Sequence, residues 1–308
     1  MILSICPNPS IDCTIELDNL NVGKLNRIDN KVETYSGKAL NVAIGVARLG
    51  EESLATGFMF ENHKRMFEHA LSQDNVKYSF VYNKGNARTN YKIIDKKAML
   101  TEINDKGEEV AVEKQQELID RVAFLSKNVD VAVMSGSLPK GIPHEYYGEV
   151  IKVIPENVKV IIDAEANNVK ASMFSREIYM VKPNLTELEN YVGEKIRSKA
   201  DIVRAAGKYI DRGAKYVLAS MGPEGAIITD GSVSYFCKSA SVAVNSTVGS
   251  GDSMVAAASV AFSKNAPIDE LLRQAVAAGT AAVTTSGTNL FYKDKYEEIY
   301  AKVRAVKI

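Results

Sequence analysis

Short runs of nearly unbroken apolar residues alternate along the chain with longer stretches in which apolar positions recur every three or four residues. The runs ILSI (2–5), SLATGF (53–58), DVAVMSG (130–136), VKVIIDA (158–164), IYMVKP (178–183) and KYVLASMG (215–222) predict buried strands. Strands covered on both faces lose the apolar–polar alternation of a half-exposed sheet. Between them, Lys38–Leu49, Lys64–Ser72, Glu113–Ser126, Pro143–Val153, Asn184–Tyr191 and Lys199–Asp211 predict helices. After Gly249, further helices are expected over Ser250–Ser263, Pro267–Ser286 and from about Lys293. Strand and helix in alternation imply βαβ crossovers, so the expected class is α/β: a doubly wound, mostly parallel sheet with helices on both faces.

Two stretches depart from this rhythm. Residues 12–35 and 88–103 alternate apolar with polar, the period of strands with one exposed face. If both project from the same edge they form one small, discontinuous β-sheet lid. The expected division is a main domain of 1–11, 36–87 and 104–308, and a lid of 12–35 and 88–103. No repeat, low-complexity tract or proline-rich linker suggests a second independent domain.

Composition narrows the partners. The 308 residues carry 38 basic and 38 acidic side chains, a balance that gives nucleic acid or a membrane surface no electrostatic hold. Cys6, Cys13 and Cys237 lack metal-site spacing, and an odd count argues against a disulfide framework. The first residues carry no basic segment before a long apolar run, and no stretch has the length of a membrane span. A soluble cytoplasmic protein is expected. His63, His69 and His144 form no nucleophile or metal pattern.

Ligands of open α/β sheets bind beyond the carboxyl ends of the strands. Six polar or glycine-rich segments fall there: NPSID (8–12), SGKALN (36–41), SGSLPKG (135–141), KPNLTE (182–187), SMGPEG (220–225) and TVGSGD (247–252). In TVGSGD, Gly249, Ser250 and Gly251 lead into a helix whose free N–H groups suit an anion, and Asp252 can accept a proton from a hydroxyl. Ordinary capping accounts for the same residues. The loop lacks the Gly-Lys-Ser/Thr of a P-loop and the third glycine of a dinucleotide fingerprint.

In KPNLTE, Asn184 and Glu187 stand three apart at a helix start and can share a hard cation or its waters, while a capping box uses the same pair. Ser220, Gly222 and Gly225 suit a nucleotide's phosphates or a plain turn. Lys38 and Asn41 stand where a sugar's hydroxyls could bind, as does Asp12, although each also suits a surface or turn. SGSLPKG reads equally as a strand-to-helix loop. Lys24, Arg88 and Asn90 belong to the lid, where cations favour an anionic substrate over a neutral sugar.

The order and spacing of NPSID, GKALNVA, SGSLPKG, VKPNLTELE, SMGPEGA and STVGSGDSMVAA resemble the PfkB (ribokinase-like) carbohydrate kinase family across essentially the whole chain. Within that family the 1-phosphofructokinase and tagatose-6-phosphate kinase branch is the nearest in appearance. The resemblance implies that Asp252 is the base and that the Gly249–Gly251 amides stabilise the phosphoryl group of ATP. It implies Asn184 and Glu187 for Mg²⁺, largely through water, and Lys182, Ser220, Gly222 and Gly225 beside the nucleotide. Ala278, Gly279 and Ala282 are expected against adenine. Asp12, Gly37, Lys38, Asn41 and Asn90 match sugar-binding positions. Lys24 and Arg88 match those holding a phosphate already on the substrate, with Ser137 and Lys140 near them.

The implied activity is ATP-dependent phosphorylation of fructose 1-phosphate or tagatose 6-phosphate, by a homodimer joined through its lids. Four departures concern the sugar side: Ser36 replaces a glycine or alanine, FMFENHK (58–64) replaces a glycine-rich turn, Ala87 replaces a threonine, and DAEA (163–166) replaces Asp-x-Ser-Gly. A kinase of an unphosphorylated sugar or nucleoside, and a non-catalytic ligand sensor on the same fold, remain open at this point. A NAD-dependent oxidoreductase shares the fold class but lacks an early Gly-x-Gly-x-x-Gly loop.

Overall fold

Strand β1 (Ile2–Cys6) opens the chain, followed by β2 (Ser10–Leu17), β3 (Asn30–Ser36), helix α1 (Lys38–Arg48), β4 (Ser53–Phe60), α2 (Lys64–Gln73) and β5 (Lys77–Asn83). Next come β6 (Arg88–Asp95), β7 (Leu100–Asn104), α3 (Val112–Leu125), β8 (Val131–Ser135), α4 (Glu145–Lys152), β9 (Lys159–Asp163), α5 (Ala166–Ser175) and β10 (Ile178–Val181). The remainder is α6 (Leu185–Val192), α7 (Lys199–Ile210), β11 (Ala214–Ser220), β12 (Ala226–Thr229), β13 (Ser234–Cys237), α8 (Ser250–Ser263), α9 (Ile268–Ala282), α10 (Lys293–Lys302) and β14 (Ala305–Lys307). This computed structural model describes residues 1–97, 99–285 and 290–308. Ala98, inside the expected 88–103 segment, and Ser286, the expected end of the helix from Pro267, lie outside the described residues.

Among the described residues the strands form a ten-stranded sheet, ordered β14-β13-β12-β11-β10-β9-β8-β1-β4-β5. The run from β11 to β5 is parallel throughout, and β12, β13 and β14 add an antiparallel edge. Each predicted strand occurs, within a residue or two at its ends. Helix α5 and strands β5 and β12 to β14 were not predicted. AIIT and SYFC, which form β12 and β13, are too short to stand out from the surrounding chain.

Alternate residues of the parallel strands feed two cores. Leu3, Ala132, Val160, Ile162 and Val217 pack on one face with α3, α4 and α7, while Ile2, Val131, Ile161, Met180 and Leu218 pack on the other with α1, α8, α9 and α10. Burial on both faces explains the unbroken apolar runs of the sequence. Strand order reverses at β1, where β4 and β5 extend to one side and β8 to β11 to the other. That reversal opens a crevice at the carboxyl ends.

A second sheet, ordered β3-β2-β6-β7, unites the two segments that alternate in polarity. β2 and β6 run parallel with Asp12 opposite Asn90, and Thr14 opposite Lys92. Even-numbered positions such as Asp12, Asn90 and Lys92 face the crevice, and odd-numbered ones such as Ile11, Cys13 and Tyr91 face away. No helix among the described residues is long and apolar enough to cross a membrane.

Candidate active site

A cavity of about 980 Å³ runs along the carboxyl ends of the parallel strands and under the second sheet. The segments after β8, β9, β10 and β11 all reach it, together with β2 and β6 of the second sheet and the starts of α1 and α8. One end centres on Asp252. Gly249 precedes α8 in the left-handed region (φ 77°), which a side chain disfavours. The first intrahelical bond shown runs from the Ser253 N–H to the Gly249 carbonyl at 2.9 Å, and the amides before it belong to the first turn, outside the helix ladder. A Cβ on Gly251 would lie 3.2 Å from Lys182 Nζ, so the loop and a buried ammonium meet in a tight approach. Ser250 Oγ donates to the Gly279 carbonyl of α9 at 3.0 Å, tying the loop to the next helix.

Asp252 is 7% exposed, and its Oδ2 accepts a 2.8 Å hydrogen bond from Asn41 Nδ2. Burial pushes its carboxyl up to about 6, with the Asp163 charge adding to the rise and Lys38, Asn41 and Lys182 opposing it. A carboxyl so tuned is ionised at neutral pH yet far more basic than a solvated aspartate. Asp163, at the end of β9, lies 3.4 Å from both Lys38 Nζ and Lys182 Nζ. Burial alone would raise its carboxyl, but the two ammonium groups outweigh that and hold it below the usual range. Asp163 in turn raises the Lys38 ammonium. Two cations therefore converge beside the start of α8, anchored by one buried carboxylate whose other oxygen, Oδ2, has no hydrogen-bond partner among the described residues. Asp163 was noted from sequence only as part of an unusual DAEA segment, and its bridging role was missed.

Asn184 and Glu187 form the capping box that their spacing allowed: Glu187 N–H donates to Asn184 Oδ1 and Asn184 N–H to Glu187 Oε2, both at 2.8 Å. Both also line the cavity, so capping and ligand binding are compatible here. Among the described residues no group of three or more His, Cys, Asp or Glu could cage a metal. Mg²⁺ does not need such a cage, because it keeps most of its waters and takes its remaining ligands from one or two carboxylates and substrate phosphates. Glu187 fits that demand: one carboxylate oxygen caps the helix, and the other has no protein hydrogen bond among those observed.

The opposite end lies under the second sheet. Asp12 is a hub: its Oδ1 accepts from Ser10 Oγ (3.2 Å) and Asn90 Nδ2 (3.1 Å), and its Oδ2 from Ser36 Oγ (3.2 Å) and Lys92 Nζ (2.9 Å). Arg88 donates to the Asp105 carbonyl (3.2 Å), the Asn8 carbonyl (3.4 Å) and Asn90 Oδ1 (3.4 Å). Among the described residues its buried Nε has no hydrogen-bond partner and no carboxylate lies within ion-pairing distance. Desolvation lowers the Arg88 pKa, outweighing the opposing pull of nearby negative charge that includes Asp12, Asp105 and Glu165. Gly37 and Ser137 complete this end, and Glu165 brings an exposed carboxylate to its rim. Lys92 was missed, although its period-2 spacing from Arg88 and Asn90 placed it on the same face.

Ser220, Gly222, Gly225 and Gly279 line the cavity on the far side of Asp252. Four expected residues do not line it. Lys24 is exposed in the 18–29 connection between β2 and β3. Lys140 is drawn outward by a 3.0 Å ion pair with Glu109. Ala278 and Ala282 are fully buried in the core, because α9 turns Val276, Gly279, Thr280 and Val283 to the cavity instead. That helical phase is set by packing against α8, where a Cβ on Gly279 would meet Met254 Cγ at 2.6 Å.

A glycine-bearing helix start with a buried carboxyl, a cation pair beside it and a polar sheet closing over the cleft define a phosphotransferase-like site on a doubly wound fold. The model of the pfkB family of carbohydrate kinases matches residues 7–295, and the chain belongs to that family. It is 30% identical over 311 residues to tagatose-6-phosphate kinase of Staphylococcus epidermidis, covering 100% of both chains. It is 29% identical over 304 residues to 1-phosphofructokinase of Bacillus subtilis, covering 97% of this chain and 98% of that one. The structure of Escherichia coli phosphofructokinase-2 in complex with substrates and products superposes with a TM-score of 0.91 at 28% identity, over 98% of each chain. The ribokinase-like architecture and the carbohydrate-kinase class follow.

Proposed function

We propose that this chain transfers the γ-phosphoryl group of ATP to a hydroxyl of a ketohexose phosphate, fructose 1-phosphate or tagatose 6-phosphate, giving a bisphosphate. The observation that carries the phosphorylated substrate is Arg88, a largely buried guanidinium facing the cavity with no carboxylate partner among the described residues. A neutral sugar would leave that charge uncompensated, whereas a phosphate supplies the missing anion. The two curated relatives, named for kinases of phosphorylated ketohexoses, support the same reading.

In this reading Asp252 accepts the proton of the attacking hydroxyl as the oxygen reaches phosphorus. The first-turn amides of α8 and the Lys182 ammonium stabilise the charge on the transferring group. Asn41 orients Asp252, and Asp163 holds Lys38 and Lys182 in place. Glu187 and Asn184 would hold Mg²⁺, largely through water, and the ion would supply neutralisation of the nucleotide's phosphate charge. The nucleotide lies along Ser220, Gly222, Gly225 and Gly279, and the sugar phosphate lies under Asp12, Asn90 and Arg88.

The second sheet acts as the lid over the sugar. Its outer face, lined by Ile11, Ile15, Ile28, Tyr35 and Tyr91, is apolar enough to join two copies as a homodimer, which sedimentation of the purified chain would test. A cytoplasmic location suits substrates that are themselves phosphorylated and charged.

The deciding experiment is ADP release measured over a panel of ketohexoses, their 1- and 6-phosphates and nucleosides, with and without EDTA. Turnover confined to ketohexose phosphates and abolished by EDTA is expected. Preference for an unphosphorylated sugar or nucleoside would overturn the assignment.

A further inference from the structure

The Asp12–Lys92 pair has chemistry that the phosphate reading leaves unused. Both side chains line the cavity, and both are nearly buried, 9% and 8% exposed. An ionised carboxylate offers about four acceptor sites. The donors Ser10, Asn90, Ser36 and Lys92 occupy four, so a ligand hydroxyl finds no free acceptor on Asp12 in this arrangement. The ammonium of Lys92 is the reverse. It carries three donors, and among the described residues Asp12 is the one hydrogen-bond partner observed for it. Donors left unpaired in a buried place are costly unless a ligand or water takes them.

Charge separates the two cations of this strand. Among the described residues Arg88 lacks an ion-pair partner, whereas Lys92 pairs with Asp12 at 2.9 Å. An uncompensated guanidinium suits a phosphate dianion. A neutral ion pair with spare N–H groups suits an uncharged oxygen. The Ser36 hydroxyl and the Lys92 ammonium both donate to Asp12 Oδ2, which fixes the ammonium beside the cavity.

We propose that Lys92, held by Asp12, donates a hydrogen bond to one hydroxyl oxygen of the hexose and so determines which hydroxyl configuration the enzyme accepts. This specificity role rests on the sugar-phosphate reading above. It assigns Lys92 to the sugar's hydroxyls and leaves the phosphate to Arg88.

The test compares wild type and Lys92→Met on the best sugar phosphate and on a series of its monodeoxy analogues, each lacking a different hydroxyl. On the parent substrate, Lys92→Met should lower kcat/KM roughly 10- to 150-fold, the effect of losing a charge-assisted hydrogen bond, with KM for ATP unchanged. On one analogue, which wild type already handles poorly, the variant should lose almost nothing more. Equal losses on the parent and every analogue would overturn the proposal and leave Lys92 as a support for Asp12 alone. If Lys92→Met fails to fold because Asp12 is left unpaired, Asp12→Asn/Lys92→Met removes both charges, and the same insensitivity to one hydroxyl is expected of it. Wild-type turnover of neutral sugars only would sink the sugar-phosphate reading, while deoxy analogues of that neutral sugar would still decide Lys92. A wild type inert toward every sugar would overturn both.

Discussion

Two buried aspartates face the same cavity and live in opposite surroundings. Asp252 has one side-chain donor, Asn41, and stands near Asp163, so burial pushes its carboxyl up to about 6. Asp12 has four side-chain donors, one of them an ammonium. Similar burial thus accompanies a lightly held carboxylate at one end and a pinned one at the other. The first is suited to taking a proton and the second to holding shape. At similar burial, the two carboxylates differ in their supply of hydrogen-bond donors.

Removing the lightly held carboxylate should have the largest effect. Asp252→Asn preserves shape and can still accept from Asn41, yet it cannot take a proton. Its kcat should fall roughly 10²- to 10⁴-fold with little change in KM. In wild type, kcat/KM should decline as pH drops below about 6, where Asp252 becomes protonated. A variant that turns over like wild type would erase the contrast between the two ends.

The opposite end should respond by substrate. Arg88→Ala should lower kcat/KM for a sugar phosphate by about 10- to 150-fold and leave any feeble activity on the unphosphorylated sugar nearly unchanged. Matched kinetics on the two substrates make the measurement, and equal losses would show that Arg88 only supports the second sheet.

The smallest effect sharpens the comparison through stability. Folding raises the Asp252 carboxyl above its unfolded value, so between about 4 and 6 the folded state binds more protons than the unfolded one. Stability contributed by the protonated form is complete below that window and is lost as pH rises through it. Asp252→Asn should therefore be more stable than wild type at pH 7 to 8, by roughly 3 kcal/mol at most, and no more stable near pH 3.5. Thermal melts at both pH values decide this, and an equal offset at both would remove the desolvation argument.

Much of this was legible in the sequence. Unbroken apolar runs marked the central strands because both sheet faces are covered. Period-2 alternation marked β2, β3, β6 and β7 because one of their faces stays polar. TVGSGD and KPNLTE stood out because glycine and capping residues at a helix start are local signals, requiring no knowledge of neighbours. The ion pair of Asp12 with Lys92 was not legible, since its partners are separated by 80 positions and meet only once β2 and β6 align. The expectation for Ala278 and Ala282 shows the same limit. A helix pattern reveals that a stripe exists, but contact with α8 rotated Gly279 and Thr280, rather than the alanines, toward the cleft.

The sequence by itself determined the elements, the doubly wound class and the segments where chemistry would gather, because backbone preference and apolar periodicity act over a few residues. Tertiary structure alone decided the charges and donors at each carboxylate. Among the described residues it surrounded Asp12 with donors from β2, β3 and β6, left Asp252 with one, and set Asp163 between one lysine at the start of α1 and another just after β10. Those properties depend on burial and on distances of a few ångströms between residues far apart in the chain, and such distances exist only after the chain has folded.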